Sequence, residues 1–162
     1  VVEETNSRKA NLDPLGYSNI ELKIPFRHQG NSESDNSAQI KRLSAASLAY
    51  VGDAVYELYV RTYFLLPPKR NSDYHAKVVK QVRAEGQVRC LEKLKPYLTE
   101  AEKDILRQGR NAANNGPRRL SLALYQEASS LETLIGYLYL NDTERLHELL
   151  LKIDFNTIVE HE

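Results

Sequence analysis

LAYVGDAVYELY, residues 48–59, sets one carboxylate, Asp53, in the middle of an apolar and aromatic run. Leu48, Val51, Val55 and Leu58 or Tyr59 recur at helical spacing and mark a buried stripe. Gly52 stands directly before the aspartate, inside the helix, where it is roughly 1 kcal/mol less favourable than Ala. A helix that keeps a glycine and a carboxylate in its interior points to a close packing partner or a cation. A second run, SSLETLIGYLYL at 129–140, has the same character, with Glu132 as its carboxylate and Gly136 one turn later.

Working outward, the chain from Ser44 onward reads as a series of helices. The first spans Ser44 or Ser47 to about Leu66 and is stopped by Pro67 and Pro68. Asn71 or Ser72 is expected to cap a second helix reaching about Lys95, with His75, Val78, Val79 and Val82 on its inner side and Pro96 at its end. Thr99 with Glu102 forms a capping-box pattern that opens a third helix, through about Asn111. NAANNGPRR, Asn111 to Arg119, reads as a flexible basic loop. Leu124 to Leu140 is a strongly apolar helix, and Asp142 or Thr143 caps a last one carrying Leu146, Leu149, Leu150 and Ile153 on one face. No stretch alternates at period two, so the fold class is all-α. There is no internal repeat, Gly-rich phosphate loop or HExxH.

Composition narrows the function. The 162 residues suffice for one domain with its own core. Lys and Arg total 22, as do Asp and Glu, so any nucleic-acid signal must come from local clustering. The single cysteine, Cys90, excludes an intramolecular disulfide and a multi-Cys zinc site, and reads as a small helix residue. No apolar run is long enough to span a bilayer. The chain starts at Val1 and contains no methionine, which suggests a processed or trimmed form; a removed targeting peptide is one explanation. Residues 1–40 are polar and read as a flexible or partly docked extension, with NSESDNSAQ as a linker and YSNIELKIPF as a short extended segment; residues 41–162 form the expected domain.

GDAV followed about 80 residues later by E-x-L-I-G, in a small helical chain, resembles the catalytic domain of ribonuclease III. LAYVGDAVYELYVR, HAKVVKQVRAEGQ, RQGRNA and LETLIGYLYL, in that order, resemble its Mini-ribonuclease III branch. The resemblance runs from Leu43 to Leu151, roughly two-thirds of the chain. It implies a ribonuclease III-type helical catalytic domain, a homodimer whose two sites cut opposite strands, and RNA cleavage leaving 5′-phosphate and 3′-hydroxyl ends. The residues matching Asp53 and Glu132 are metal ligands essential for cleavage in that family. The implied cofactor is Mg2+, with Mn2+ able to substitute. Two inward carboxylates on packed helices suit such an ion, which leaves coordination sites to water and phosphate.

The longer family pattern has two further glutamates before the aspartate and often an acid before the glutamate of the second motif. Here those positions are Ala46, Ala49 and Ser129. The Mini branch also has a reduced set; Glu127 is a candidate replacement acid, although its position five residues before Glu132 puts it off that face. Glu57, one turn after Asp53, either extends the acidic site, pairs with Arg61 at i+4 or meets a dimer partner.

After Leu140 only 22 residues remain, so no double-stranded RNA-binding domain is expected and the catalytic domain must hold RNA itself. Duplex RNA is gripped through phosphates and 2′-hydroxyls. Candidate contacts are Lys69 and Arg70; Lys77, Lys80 and Arg83; and Arg107, Arg110, Asn111, Arg118 and Arg119 with Asn114 and Asn115 between them. The alternative for each is an ordinary solvated face. His75 matches a histidine of the branch or is a core residue. For dimerisation, Tyr50, Tyr56, Tyr59, Tyr63 and Phe64 are more aromatic surface than a small domain easily buries, a thick core being the competing explanation.

The reading is a metal-dependent endoribonuclease trimming double-stranded precursor RNA, with no membrane partner. Mini-branch enzymes are associated with maturation of large-subunit ribosomal RNA. RAEGQ, GPRRLS and SSLETLIGYLYL look cyanobacterial or plastid, which implies the chloroplast stroma and ribosomal RNA or intron processing, or alternatively a bacterial cytoplasm. The competing function is a noncatalytic RNA-binding or ribosome-associated protein on the same fold.

Overall fold

A computed structural model describes residues 38–157. The extended segment expected at Tyr17–Phe26, and all but the last few residues of the N-terminal extension, lie outside that range. Among the described residues, helical residues 38–40 are followed by α1 (Ala45–Leu65), α2 (Asn71–Val82), α3 (Ala84–Leu94), α4 (Glu100–Ala112), α5 (Leu122–Asn141) and α6 (Thr143–Leu150). A single 3-10 turn, Lys95–Tyr97, links α3 to α4. No strand occurs among the described residues, so the all-α expectation holds.

The helix boundaries follow from local chemistry. Ser44 caps α1 by accepting from the Ser47 amide, and Ser121 caps α5 by accepting from Leu124. Thr99 and Glu102 make the expected capping box at α4. Asp142 accepts from the Arg145 amide and starts α6.

Helix α5 is the axis of the molecule. It packs against α1 along most of its length and also touches α3, α4 and α6. Leu131, Leu134, Ile135 and Leu138 on α5 are buried together with Val55, Tyr56 and Val60 of α1 and Leu91 and Leu94 of α3. After α6 the chain turns back so that Ile153 and Phe155 are buried as well.

Three expectations need correction. The helix expected from Asn71 to Lys95 is two helices. Arg83 is extended, with φ −68° and ψ 159°, and breaks the run. Gly86 makes the break possible: a Cβ there would lie 2.4 Å from the carbonyl oxygens of Lys80 and Gln81, so only glycine lets α3 start against the end of α2. Neither Asn71 nor Ser72 caps α2; Arg70 holds that position without a side-chain bond. The inner side of α2 is Val78 and Gln81, whereas His75 and Val79 are exposed.

The aromatic argument for a dimer also changes. Tyr56 and Phe64 are buried, and Tyr59 and Tyr63 pack against the core. Their rings meet Phe155, with the Tyr63 ring centre 5.0 Å away in an edge-on contact. The thick core therefore accounts for four of the five rings. Tyr50 alone among them stays outside, at 86% exposure.

Candidate active site

The site is built on the crossing of α1 and α5. A Cβ on Gly52 would lie 1.8 Å from the backbone oxygen of Glu132, and one on Gly136 would lie 2.0 Å from that of Leu48. The two backbones therefore touch at a glycine pair, closer than any side chain allows. This explains the helix-weakening glycines noted in the sequence, and it draws the neighbouring carboxylates, Asp53 and Glu132, into one cavity.

That cavity has a volume of about 220 Å³. Gly109 of α4 forms another wall; a Cβ there would lie 2.5 Å from the Thr133 hydroxyl, so α4 too comes in close. Ala46, Ala49 and Ser129, where the longer family pattern has acids, all line it. Their small size supplies the space, and the acidic charge rests on Asp53 and Glu132.

Burial and mutual repulsion set the electrostatics. Glu132 is pushed up to about 7, first by loss of solvent and then by the nearby Asp53, against a hydrogen bond from Gln87. That bond runs from Gln87 Nε2 to Glu132 Oε1 at 3.0 Å. Asp53 is raised by burial and by Glu57, while Arg61 and the Gln87 amide work the other way. Glu57 itself is ion-paired with Arg61, one of the readings open at the sequence level.

Asp53 and Glu132 thus share the cavity and are both raised above their ordinary range. Among the described residues no group of three or more His, Cys, Asp or Glu could enclose a metal. Magnesium, which keeps several waters, needs only one or two protein carboxylates. Asp53 and Glu132 are the residues that fit it.

The basic candidates are placed unevenly. Ala112 and Ala113, at the end of α4, and Tyr125, at the start of α5, line the cavity, and Gly116 packs on the Tyr125 ring. The loop carrying Arg118 and Arg119 therefore springs from the cavity rim, with both arginines and Asn111 exposed. Arg110 is ion-paired with Glu127, and Arg107 with Asp104 at 2.7 Å. Lys69 lies past the far end of α1, where its ammonium donates to the carbonyls of Phe64 and Pro67. From Asp53 to the end of α1 is about 18 Å along the helix, so Lys69 and Arg70 are remote from the cavity. His75 is exposed on α2.

Gln87 was missed at the sequence level. It shares a helix face with Cys90, Leu91 and Leu94, all buried, and is itself only 2% exposed. A polar side chain at an apolar position of an amphipathic helix was the available signal. Cys90 is fully buried and its thiol is pushed up to about 12 by burial, as suits a packing residue.

The domain is thus all-helical, with two carboxylates brought to one small-residue cavity at a glycine crossing. Residues 46–143 match the family model described as the Ribonuclease III domain. Mini-ribonuclease 3 of Synechocystis sp. is 52% identical over 126 residues, covering 78% of this chain and 88% of the relative. The Mini-ribonuclease 3 of Thermosynechococcus vestitus is 52% identical over 108 residues, covering 67% and 72%. A crystal structure of a Fusobacterium nucleatum protein superposes with a TM-score of 0.63 at 30% identity, covering 69% of this chain and 93% of that one. The chain belongs to the ribonuclease III family, and with it to the endoribonucleases.

Proposed function

We propose that the protein is a magnesium-dependent endoribonuclease that cleaves double-stranded regions of precursor RNA, leaving 5′-phosphate and 3′-hydroxyl ends. The observation that carries this reading is the meeting of Asp53 and Glu132 in one cavity across the Gly52–Gly136 crossing. Bound by these two carboxylates, a divalent cation would supply charge neutralisation at the phosphate and a more acidic water. Asp53 and Glu132 hold it, with manganese as a substitute. Ala46, Ala49 and Ser129 leave room for the phosphodiester and its water.

RNA is held by the rim loop. Arg118, Arg119 and Asn111 contact phosphates and 2′-hydroxyls on the cavity side, and Arg110 and Arg107 join them by exchanging their carboxylate partners for phosphate. Lys69 and Arg70 are set aside as direct contacts at this cavity. His75 has no part in the chemistry.

The protein acts as a homodimer. The outer face of α1 carries Tyr50, Ala54, Leu58 and Leu65, exposed apolar groups that recur along one side of the helix. A second copy laid across that face would cover them and set two cavities on one duplex, one for each strand. The cyanobacterial relatives favour a plastid or cyanobacterial setting and ribosomal RNA or intron precursors as substrate. No described helix is long and apolar enough to cross a membrane.

The test is end analysis on a perfect RNA duplex incubated with magnesium. Products that are ligated without prior phosphorylation carry 5′-phosphate and support the reading. Products with 5′-hydroxyl or cyclic phosphate ends would overturn the proposed attack, and duplex binding without cleavage would favour the noncatalytic alternative.

A further inference from the structure

The acids missing from the cavity wall raise the question of what orients the two that remain. Glu132 sits on the inside of α5, raised and repelled by Asp53, with alanines at two of the wall positions where further acids stand in the longer pattern. The group that reaches it comes from a third helix. Gln87 of α3 is 2% exposed and donates from Nε2 to Glu132 Oε1 at 3.0 Å.

We infer that Gln87 is a positioning residue: by holding Oε1 of Glu132 it fixes the carboxylate so that its other oxygen serves the cavity, a task that an additional acid would perform only by adding charge. The inference rests on the metal reading of Asp53 and Glu132.

Several features make Gln87 suited to this. An amide donor is neutral, so it satisfies a carboxylate without competing for the cation as another carboxylate would. Its placement is specified by the backbone. The extended Arg83 ends α2, and Gly86 fits against the carbonyls of Lys80 and Gln81, so the register of α3 is set one residue before Gln87. Cys90, Leu91 and Leu94 then anchor the same face in the core, so the amide has little freedom to swing away. Such partners behind a metal-ligating side chain commonly carry much of the site's affinity.

The test is Mn2+ binding to the full chain, followed by the electron paramagnetic resonance of the free ion, for the parent, Gln87→Met and Gln87→Asn. Met keeps the volume and removes the donor. Asn keeps the amide and withdraws it by one methylene. The expected result is a dissociation constant for Mn2+ raised roughly 10- to 100-fold in both variants. The metal concentration for half-maximal cleavage should rise by the same factor, with KM for the duplex unchanged. A residue that merely packs would lower the unfolding midpoint and leave Mn2+ affinity alone, and that outcome overturns the proposal. So does a defect confined to KM. If the Met variant fails to fold, the Asn variant decides by the same criterion. If the parent itself takes up no Mn2+, the metal reading fails and this inference falls with it; parent binding with unaltered variants sinks the role of Gln87 alone.

Discussion

Glu132 is held in a state that folding alone would not choose. Its carboxyl titrates near 7 in the folded chain, against an ordinary value of 4.5, chiefly because it has lost solvent. The unfolded chain therefore releases this proton at lower pH than the folded one. Between about pH 4.5 and 7 the folded state holds the extra proton, and metal-free stability falls as pH rises through that window. Glu132→Gln removes this penalty. The variant should melt higher than the parent at pH 8 without metal and no higher at pH 4.5, as read by thermal unfolding at both values. Its cleavage should fall by more than about 100-fold, since even the partners of metal ligands are worth 10–100-fold. A variant less stable than the parent at pH 8 would contradict the electrostatics described for the cavity. At this scale the sequence was informative about the two carboxylates, because a charged group beside a glycine inside an apolar run is conspicuous. It was uninformative about Gln87, whose partner is 45 residues away on another helix, a distance that periodicity does not report.

Between elements, the α1–α5 crossing shapes the site, whereas the α4–α6 ion pair adds stability outside the cavity lining. Gly→Ala in a helix interior ordinarily stabilises by roughly 1 kcal/mol. Here the new methyl would meet backbone at 1.8 Å on Gly52 and 2.0 Å on Gly136, so the helices must separate. Gly52→Ala and Gly136→Ala should each destabilise by about 1–3 kcal/mol in denaturant unfolding, the range for overpacking a core, and should lose cleavage as well. At the other junction Arg145 donates to both oxygens of the buried Glu102, at 2.8 and 3.1 Å, and to the carbonyl of Tyr97. Glu102 is held below its ordinary range, first by the Arg145 bond, so this stability is present above about pH 4.5 and is lost as pH falls through the lowered value. Glu102→Ala should destabilise by about 2–4 kcal/mol at neutral pH, combining a broken ion pair and a lost cap, while sparing cleavage at temperatures where it stays folded. The capping box was readable because its residues are three apart. The α2–α3 break was not, because Arg83 is an ordinary helix former and the role of Gly86 shows only in its approach to the carbonyls of Lys80 and Gln81.

For the whole molecule, what remains outside the core is the surface open to the proposed dimer. The tyrosines and phenylalanine of α1 point mostly inward onto Phe155, a residue 91 or more positions away from Tyr59, Tyr63 and Phe64, so a count of aromatic residues along one helix overstated the surface left for a partner. The remaining apolar stripe is narrower, and it makes a narrower forecast. Leu58→Glu combined with Tyr50→Asp should convert a dimer to a monomer in sedimentation velocity without loss of helix content. A parent that sediments as a monomer at all concentrations would contradict a pairing across this face. It is the cavity, however, that carries the proposed chemistry. The most direct measurement is cleavage of one RNA duplex, with and without magnesium, by the parent, Asp53→Asn and Glu132→Gln, each confirmed as folded and able to bind the duplex. Metal-dependent cutting by the parent alone is the expected result. Cutting by either variant at the parent's rate would contradict it.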